Sequence, residues 1–257
     1  MSKRVTYAIG DVHGRADLLE SLVAYCLADA ASISASPRFV FLGDICDKGP
    51  SSREAYDIVS DILAAYPDSV LIKGNHDDMF ERSVGRLQRN AVAAWLQRGG
   101  VQTLNSYYEG DLELAVQVAG TLNADHIRMV RDSALMVDDG EYLFVHAGID
   151  PTKDLCEQSE RDLIWLREPF MSHVGDLGRI VVHGHSIVGD RPVATENRIS
   201  IDTGAVSSGR LTAMRLHCGS VSFFQTDGDA SSVVPVEPVL EDRGMGTVLD
   251  EVQLLAA

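Results

Sequence analysis

Paired cysteines are missing from this chain. Its four cysteines, Cys26, Cys46, Cys156 and Cys218, are scattered, and no C-x-x-C spacing occurs. That excludes a thiolate zinc site and a thioredoxin-type redox motif, and it fits reduced thiols in a cytoplasmic protein. Basic residues are scarce: 22 Lys and Arg stand against 38 Asp and Glu, a net charge of −16. Sequence-independent nucleic-acid binding needs Lys and Arg to neutralise phosphates, so that class is set aside. The same acidic field repels small anions at long range. A phosphate site here must therefore carry its own local positive charge, which bound metal ions would provide. No stretch approaches the roughly 18 apolar residues of a membrane span, so no membrane partner is expected. The apolar run Val5–Ile9 is too short for the apolar region of a signal peptide. Internal repeats are absent.

What is present suits one large domain. The chain has 257 residues, 45% hydrophobic and 23% charged, which is ordinary globular usage. Apolar runs at Val5–Ile9, Phe39–Leu42 and Val70–Ile72 each stop near a glycine and read as buried strands. Between them, Ala16–Ala31 and Ser51–Ala65 carry apolar residues at helical spacing. This is a β-α-β-α-β unit, in which parallel strands emit loops from their carboxyl ends into one crevice. Residues 78–133 read as several short helices, an excursion that could cap the site. Strand patterns then return at Ala134–Val137, Tyr142–Val145, Ile180–Val182, Ile199–Ile201, Leu211–Leu216 and Val221–Phe224, which predicts a second sheet. The domain is predicted over residues 1–225. Residues 226–257 read as an acidic, peripheral or mobile tail with one helical segment at Val248–Leu255.

A short ligand-bearing motif follows each early strand. These are Gly-Asp-Val-His-Gly at 10–14, Gly-Asp-Ile-Cys-Asp-Lys-Gly at 43–49 and Gly-Asn-His-Asp at 74–77; His146 and His185 follow two later strands. Asp11 and His13 are two apart, so in extended chain they face one way and can reach one ion. The Asp44 carboxylate can bridge two cations, which an imidazole does not do. Asn75 offers a neutral carbonyl oxygen. The expected first ion takes Asp11, His13 and Asp44, and the second takes Asp44, Asn75, His146 and His185. This mixed nitrogen and oxygen set suits manganese, with iron, zinc or magnesium as alternatives. Taken singly, each motif is no more than a tight turn or a helix cap. Their ordered recurrence at strand ends is what argues for a site. His183 reads as a packed or supporting histidine. Cys46 lacks the arginine six residues later that a cysteine phosphatase needs, since Ser52 stands there.

Over residues 5–217 the sequence resembles the bacterial and phage branch of the metallophosphoesterases, which includes phage lambda-type Ser/Thr protein phosphatases and symmetrical diadenosine tetraphosphatases. The segments that carry the resemblance are GDVHG (10–14), FLGDICDKGP (41–50), KGNHDDMF (73–80), FVHAGI (144–149), DLIWLREPF (162–170), VVHGHS (181–186) and IDTGAVSSGRLTAM (201–214). The resemblance implies an α/β fold, a four-layer α/β/β/α sandwich of two mixed sheets flanked by helices. It implies His76 as the general acid, oriented by Asp47, and Arg167 as a phosphate-binding arginine, with Lys48 and Asn75 also on the phosphate. Two departures stand out. Lys48 replaces the family's usual arginine and cannot form a bidentate fork. Gly184-His185-Ser186-Ile187 lacks the second histidine of the Gly-His-x-His found in many phosphodiesterases, which favours the protein-phosphatase-like branch.

The expected activity is hydrolysis of phosphomonoesters, including phosphoserine and phosphothreonine in proteins, by in-line attack of a hydroxide bridging two divalent ions. The expected partners are a phosphorylated protein or a small phosphoester. The alternative is cleavage of dinucleoside polyphosphates, which would use Arg82, Arg86, Arg89, Trp95, Arg98, Tyr107 and Tyr108 from the helical excursion. Those residues read first as a solvated helix face over a core. A non-catalytic binding module would tolerate loss of a ligand or of the acid, and none is missing.

Overall fold

The computed structural model describes residues 3–86, 89–228 and 230–241; for residues 3, 89–91 and 122 only the backbone is described. The expected helix at 248–255 lies outside these residues. The strands in chain order begin with β1 (Lys3–Ile9), β2 (Ala35–Phe41), β3 (Val70–Leu71), β4 (Met136–Asp138), β5 (Tyr142–Val145) and β6 (Ile180–His183). They continue with β7 (Val193–Ala194), β8 (Arg198–Ser200), β9 (Thr212–His217), β10 (Ser220–Thr226), β11 (Val233–Val236) and β12 (Val239–Leu240). One sheet has the order β11-β10-β9-β1-β2-β3 and the other β12-β7-β8-β6-β5-β4. Each mixes parallel and antiparallel pairs: β1–β2 and β5–β6 run parallel, β1–β9 and β4–β5 antiparallel.

Strand alternation builds the layers. Val5, Tyr7, Ile9, Phe39 and Phe41 point to one face of the first sheet, where they meet Leu18, Leu22, Tyr56 and Val59. These last four come from helices α1 (Ala16–Ser32) and α2 (Ser52–Ala65). The intervening Ala8, Val40 and Leu42 point the other way and pack on Tyr142, Phe144 and Val182 of the second sheet. Leu143, Val145 and Val181 face outward from that sheet onto Leu163, Ile164 and Phe170. Three apolar interfaces separated by the two-residue period therefore make four layers, as expected.

Two expectations need correction. The strands of the second half do not all belong to the second sheet: β9 pairs antiparallel with β1, and β10 and β11 follow it into the first sheet. Period-2 patterning marks a strand but not its partner. Residues 226–241, read as tail, supply β11 and β12, an edge strand for each sheet.

The helical excursion runs through α3 (Asn75–Phe80), α4 (Arg89–Trp95), α5 (Val101–Tyr107), α6 (Leu112–Gln117) and α7 (Ala124–Arg131), with wider π turns at Glu81–Gly85, Leu96–Gly100 and Val118–Leu122. Its apolar side joins the core over α2 through Phe80, Trp95, Leu104 and Tyr107. Helix α8 (Glu160–Trp165) covers the second sheet, and a one-turn α9 (Ala205–Ser208) follows β8. No helix among the described residues is long and apolar enough to cross a membrane.

Candidate metal centre

Six strand ends converge. Asp11 and His13 follow β1, Asp44 follows β2 and Asn75 follows β3; His146, His185 and Asp202 follow β5, β6 and β8. All six strands take part in parallel pairs, so their carboxyl ends lie together. Asp44 sits in the middle. Its Oδ2 is 3.4 Å from His13 Nε2 and its Oδ1 is 3.4 Å from His146 Nε2. His146 Nε2 is also 3.0 Å from Asn75 Oδ1, and the His146 and His185 rings meet at 5.1 Å. One ligand atom each from Asp44, His146 and His185 lies within 4.8 Å of the others, and the same holds for His13, Asp44 and His76. Asp11 stands slightly back: its Oδ2 is 4.0 Å from His13 Nε2, and its carboxylate accepts the backbone N–H of His185.

The imidazoles are oriented from behind. His13 Nδ1 is 2.8 Å from the Cys46 carbonyl and His146 Nδ1 is 2.8 Å from the Leu42 carbonyl. A carbonyl can only accept, so each Nδ1 carries the proton and each Nε2 turns a bare lone pair towards the centre. Two such lone pairs facing one carboxylate repel unless a cation lies among them. The donors do draw positive charge: Lys48 Nζ lies 2.7 Å from His13 Nε2, and Arg167 Nε donates to His185 Nε2 at 3.2 Å.

The charges point the same way. Burial holds His13 and His185 down to about 3, so both imidazoles stay neutral. Burial, reinforced by neighbouring carboxylates including Asp44, raises Asp11, Asp77 and Asp202 above the usual carboxylate range. Burial pushes Asp44 the same way, but the pull of its histidine neighbours, His146 first and His76 next, outweighs it and keeps that carboxyl low. Neutral imidazoles around crowded, buried carboxylates form a donor set short of positive charge, and divalent cations supply that. The residues present fit two such ions.

Backbone strain is concentrated here. Seven described non-glycine residues have positive φ, and His13, Asp44, Asp47, Lys48 and His185 are five of them. Each such residue costs about 1–3 kcal/mol and persists only where its surroundings impose it. Two glycines permit the close approach: a Cβ on Gly74 would lie 2.2 Å from Asp44 Oδ1, and one on Gly184 would lie 2.0 Å from Asp11 Oδ1.

His76 is built differently. Its Nδ1 lies 2.6 Å from Asp47 Oδ2, leaving Nε2 for the cavity. Asp47 is fully buried and also accepts from Trp95 Nε1 at 2.9 Å and Thr103 Oγ1 at 2.6 Å. Burial pulls the His76 pKa down, but Asp44 and the bond to Asp47 outweigh it, so the net direction is upward. A histidine held more basic than usual is suited to carry a proton.

Sequence reading passed over four supporting residues. Asp202 lines the cavity and accepts from Gly204 N at 3.0 Å. Its place just past a parallel strand and before a glycine was the available signal. Asp77 accepts from the backbone of Asp44 at 2.7 Å, Ile45 at 3.1 Å and Gly74 at 2.9 Å, and from the Tyr56 hydroxyl at 2.6 Å, tying the second and third motifs together. Trp95 and Thr103 brace Asp47, and nothing local to them marks that role. His183 is fully buried, edge-on to Phe170 at 5.0 Å, and packs as expected. Cys46 is buried, and burial lifts its thiol far above the range of a nucleophile.

The centre opens into a cavity of about 390 Å3 walled by Lys48, Arg98, Trp165, Arg167 and Ile187. Of the excursion residues considered for nucleotide contact, Arg98 and Arg82 reach cavities, whereas Trp95 and Tyr107 are core. Arg86 is paired with Glu81 instead.

Residues 5–208 match the family profile described as calcineurin-like phosphoesterase. A bis(5'-nucleosyl)-tetraphosphatase PrpE, of the asymmetrical kind, from Anoxybacillus flavithermus is 28% identical over 229 residues, covering 80% of this chain and 88% of that protein. A crystal structure provisionally named as a diadenosine tetraphosphatase superposes with a TM-score of 0.62 at 18% identity, covering 92% of this chain and 99% of the other. A cold-active protein tyrosine phosphatase gives 0.59 at 16% identity, covering 93% and 80%. At these identities the two structures speak for the fold alone.

Proposed function

Because the chain belongs to the calcineurin-like phosphoesterase family, and is thereby a metal-dependent phosphoester hydrolase, we propose that its substrate is a dinucleoside polyphosphate. The observation that carries this reading is the name shared by relatives aligned along four-fifths of the chain, bis(5'-nucleosyl)-tetraphosphatase. It reverses the order expected from sequence, where a phosphoprotein came first. It also shifts the expected regiochemistry, since those relatives are named as asymmetrical. The cavity walls are consistent with it: guanidinium groups and an indole suit phosphates and a base.

Asp11, His13 and Asp44 would hold one divalent ion, and Asp44, Asn75, His146 and His185 the other, with manganese the first choice. When bound, the ions supply Lewis-acid polarisation of the phosphoryl group and a water acid enough to attack at neutral pH. Arg167, Lys48 and Asn75 neutralise and orient the phosphoryl oxygens. Water oxygen bonds to phosphorus as the bond from phosphorus to the leaving oxygen breaks in line. His76 holds a proton on Nε2 for that oxygen, and Asp47 fixes the tautomer through Nδ1. Trp95 and Thr103 hold Asp47 in place.

The test is product analysis of diadenosine tetraphosphate digests with and without EDTA. Metal-dependent formation of ATP and AMP supports the reading, and two molecules of ADP would mean symmetrical cleavage. No cleavage of the dinucleotide by enzyme active on p-nitrophenyl phosphate would refute it. The second reading, phosphoserine or phosphothreonine in proteins, draws on Ile187 standing where the second histidine of many phosphodiesterases would be. A kcat/KM for a phosphopeptide above that for the dinucleotide would favour it.

A further inference from the structure

A second cavity lies beside the metal centre. It has about 490 Å3 and shares Arg98 and Trp165 with the first, so these two residues form the partition. Beyond them, Arg82, Arg161, Met79 and Ile164 line it. None of these last four is a candidate ligand or lines the first cavity.

The chemistry of the walls is mixed in a particular way. Three guanidinium groups, from Arg82, Arg98 and Arg161, meet a single carboxylate, Asp78. Arg82 is tied to that carboxylate at 2.8 Å. Arg98 and Arg161 are exposed, and among the described residues Arg98 donates to the Ala94 carbonyl alone, at 3.2 Å. In a chain of net charge −16, two guanidinium groups in one hollow, Arg98 and Arg161, with no carboxylate partner among the described residues, mark a place for an anion. Trp165 is 37% exposed, a large apolar ring left open at the junction. It stands edge-to-face with His185, at 6.3 Å between centroids and 81°. Met79 and Ile164 give the hollow an apolar floor. Volumes of roughly 300–1,000 Å3 are typical of small-molecule sites, so the second cavity can take a nucleoside with phosphate.

We propose that this second cavity binds the far arm of the dinucleoside polyphosphate, the nucleotide whose phosphorus is not attacked, with its base on Trp165 and its phosphates on Arg98 and Arg161. The proposal rests on the dinucleotide reading above and adds where the rest of that substrate lies. It makes Trp165, Arg98 and Arg161 determinants of specificity, whereas the ligands and His76 serve any phosphoester. A small ester such as p-nitrophenyl phosphate fills only the first cavity.

The test uses full-length, metal-loaded enzyme. The ratio of kcat/KM for diadenosine tetraphosphate to that for p-nitrophenyl phosphate is measured in wild type and in Arg161→Glu. Loss of a charge-assisted contact, with reversal of its sign, is expected to lower this ratio roughly tenfold or more, mainly through KM for the dinucleotide. A ratio unchanged within twofold overturns the proposal. Direct binding gives a second readout. The chain has two tryptophans, and Trp95 is fully buried. In a His76→Asn background, titration with diadenosine tetraphosphate is expected to quench the Trp165 emission, and the quench should vanish in Trp165→Phe. A quench that survives that substitution overturns the stacking. If Arg161→Glu weakens an acidic phosphopeptide and leaves dinucleotide binding intact, the cavity holds a peptide flank and the proposal fails. Wild-type enzyme that hydrolyses p-nitrophenyl phosphate yet neither binds nor cleaves the dinucleotide would instead refute the underlying reading.

Discussion

Replacing His76 with Asn removes the proposed proton donor while retaining a polar side chain that bears no acid. The structure gives the expected size and also its dependence on the leaving group. His76 Nδ1 is bound at 2.6 Å to Asp47, which is fully buried and held by Trp95 and Thr103. Its pKa is moved upward, so the imidazole holds its proton more firmly near neutrality than a free histidine would. Positioned acids of this kind contribute about 10²–10⁴ in rate, which is roughly 2.7–5.4 kcal/mol at 1.36 kcal/mol per decade. The full loss applies only where the departing oxygen needs the proton. Phenolate, with a conjugate acid near the tyrosine value of about 10, needs it; p-nitrophenolate, stabilised by its nitro group, does not. His76→Asn should therefore lower kcat for phenyl phosphate by at least a hundredfold while p-nitrophenyl phosphate loses far less. Parallel steady-state assays on the two esters, with metal content measured by mass spectrometry, decide the matter. Equal losses on both esters would refute the acid role. Loss of bound metal would make His76 a ligand, an arrangement its position within 4.8 Å of His13 and Asp44 donor atoms makes worth excluding.

Asp44→Asn should release both ions together, read as metal stoichiometry after dialysis; loss of one alone would contradict a bridging carboxylate. Lys48→Arg should lower KM for phosphoesters by restoring a bidentate fork, and an unchanged KM would place residue 48 outside the phosphate clamp. Trp95→Phe removes one donor to buried Asp47 and should destabilise by about 1–3 kcal/mol, seen in urea melts; no change would mean the indole N–H is not needed. His183 is fully buried with its pKa pulled down to about 3, against about 6.5 when unfolded, so the unfolded chain binds the proton first. Its contribution should therefore fall by up to about 1.4 kcal/mol per pH unit as pH drops from 6.5 towards 3. His183→Asn should cost less at pH 5 than at pH 7.5 by urea denaturation, and a constant difference would sink that account.

The motifs were readable because each is local. Asp11, His13, Asp44, Asn75, His146 and His185 all sit one to four residues past a strand whose apolar run the sequence displays. The same rule would have reached Asp202, which follows β8 in the same way, had it been applied to every parallel strand. The brace on Asp47 was not readable. Trp95 and Thr103 lie 48 and 56 residues away, on helices whose sequence suggests only a core. Sequence left open whether Trp95 and Tyr107 meet a nucleotide or pack in the core, because exposure cannot be judged from residue type; packing against Phe80 decided for the core. Trp165, one residue type with the opposite fate, was left open at the cavity.

Sequence by itself determined which candidate ligand side chains stand at the strand ends, their order along the chain, and the alternation that separates three apolar interfaces. Those features are written in contacts of one to four residues, where backbone geometry fixes which way a side chain points. The tertiary structure alone decided that Thr212–Thr226 joins the first sheet beside β1, that the helical excursion braces Asp47 and His76 from behind, and that two cavities share one indole. Each of these depends on pairing across tens to hundreds of residues, and a local pattern specifies the face a strand buries without specifying the neighbour it will find.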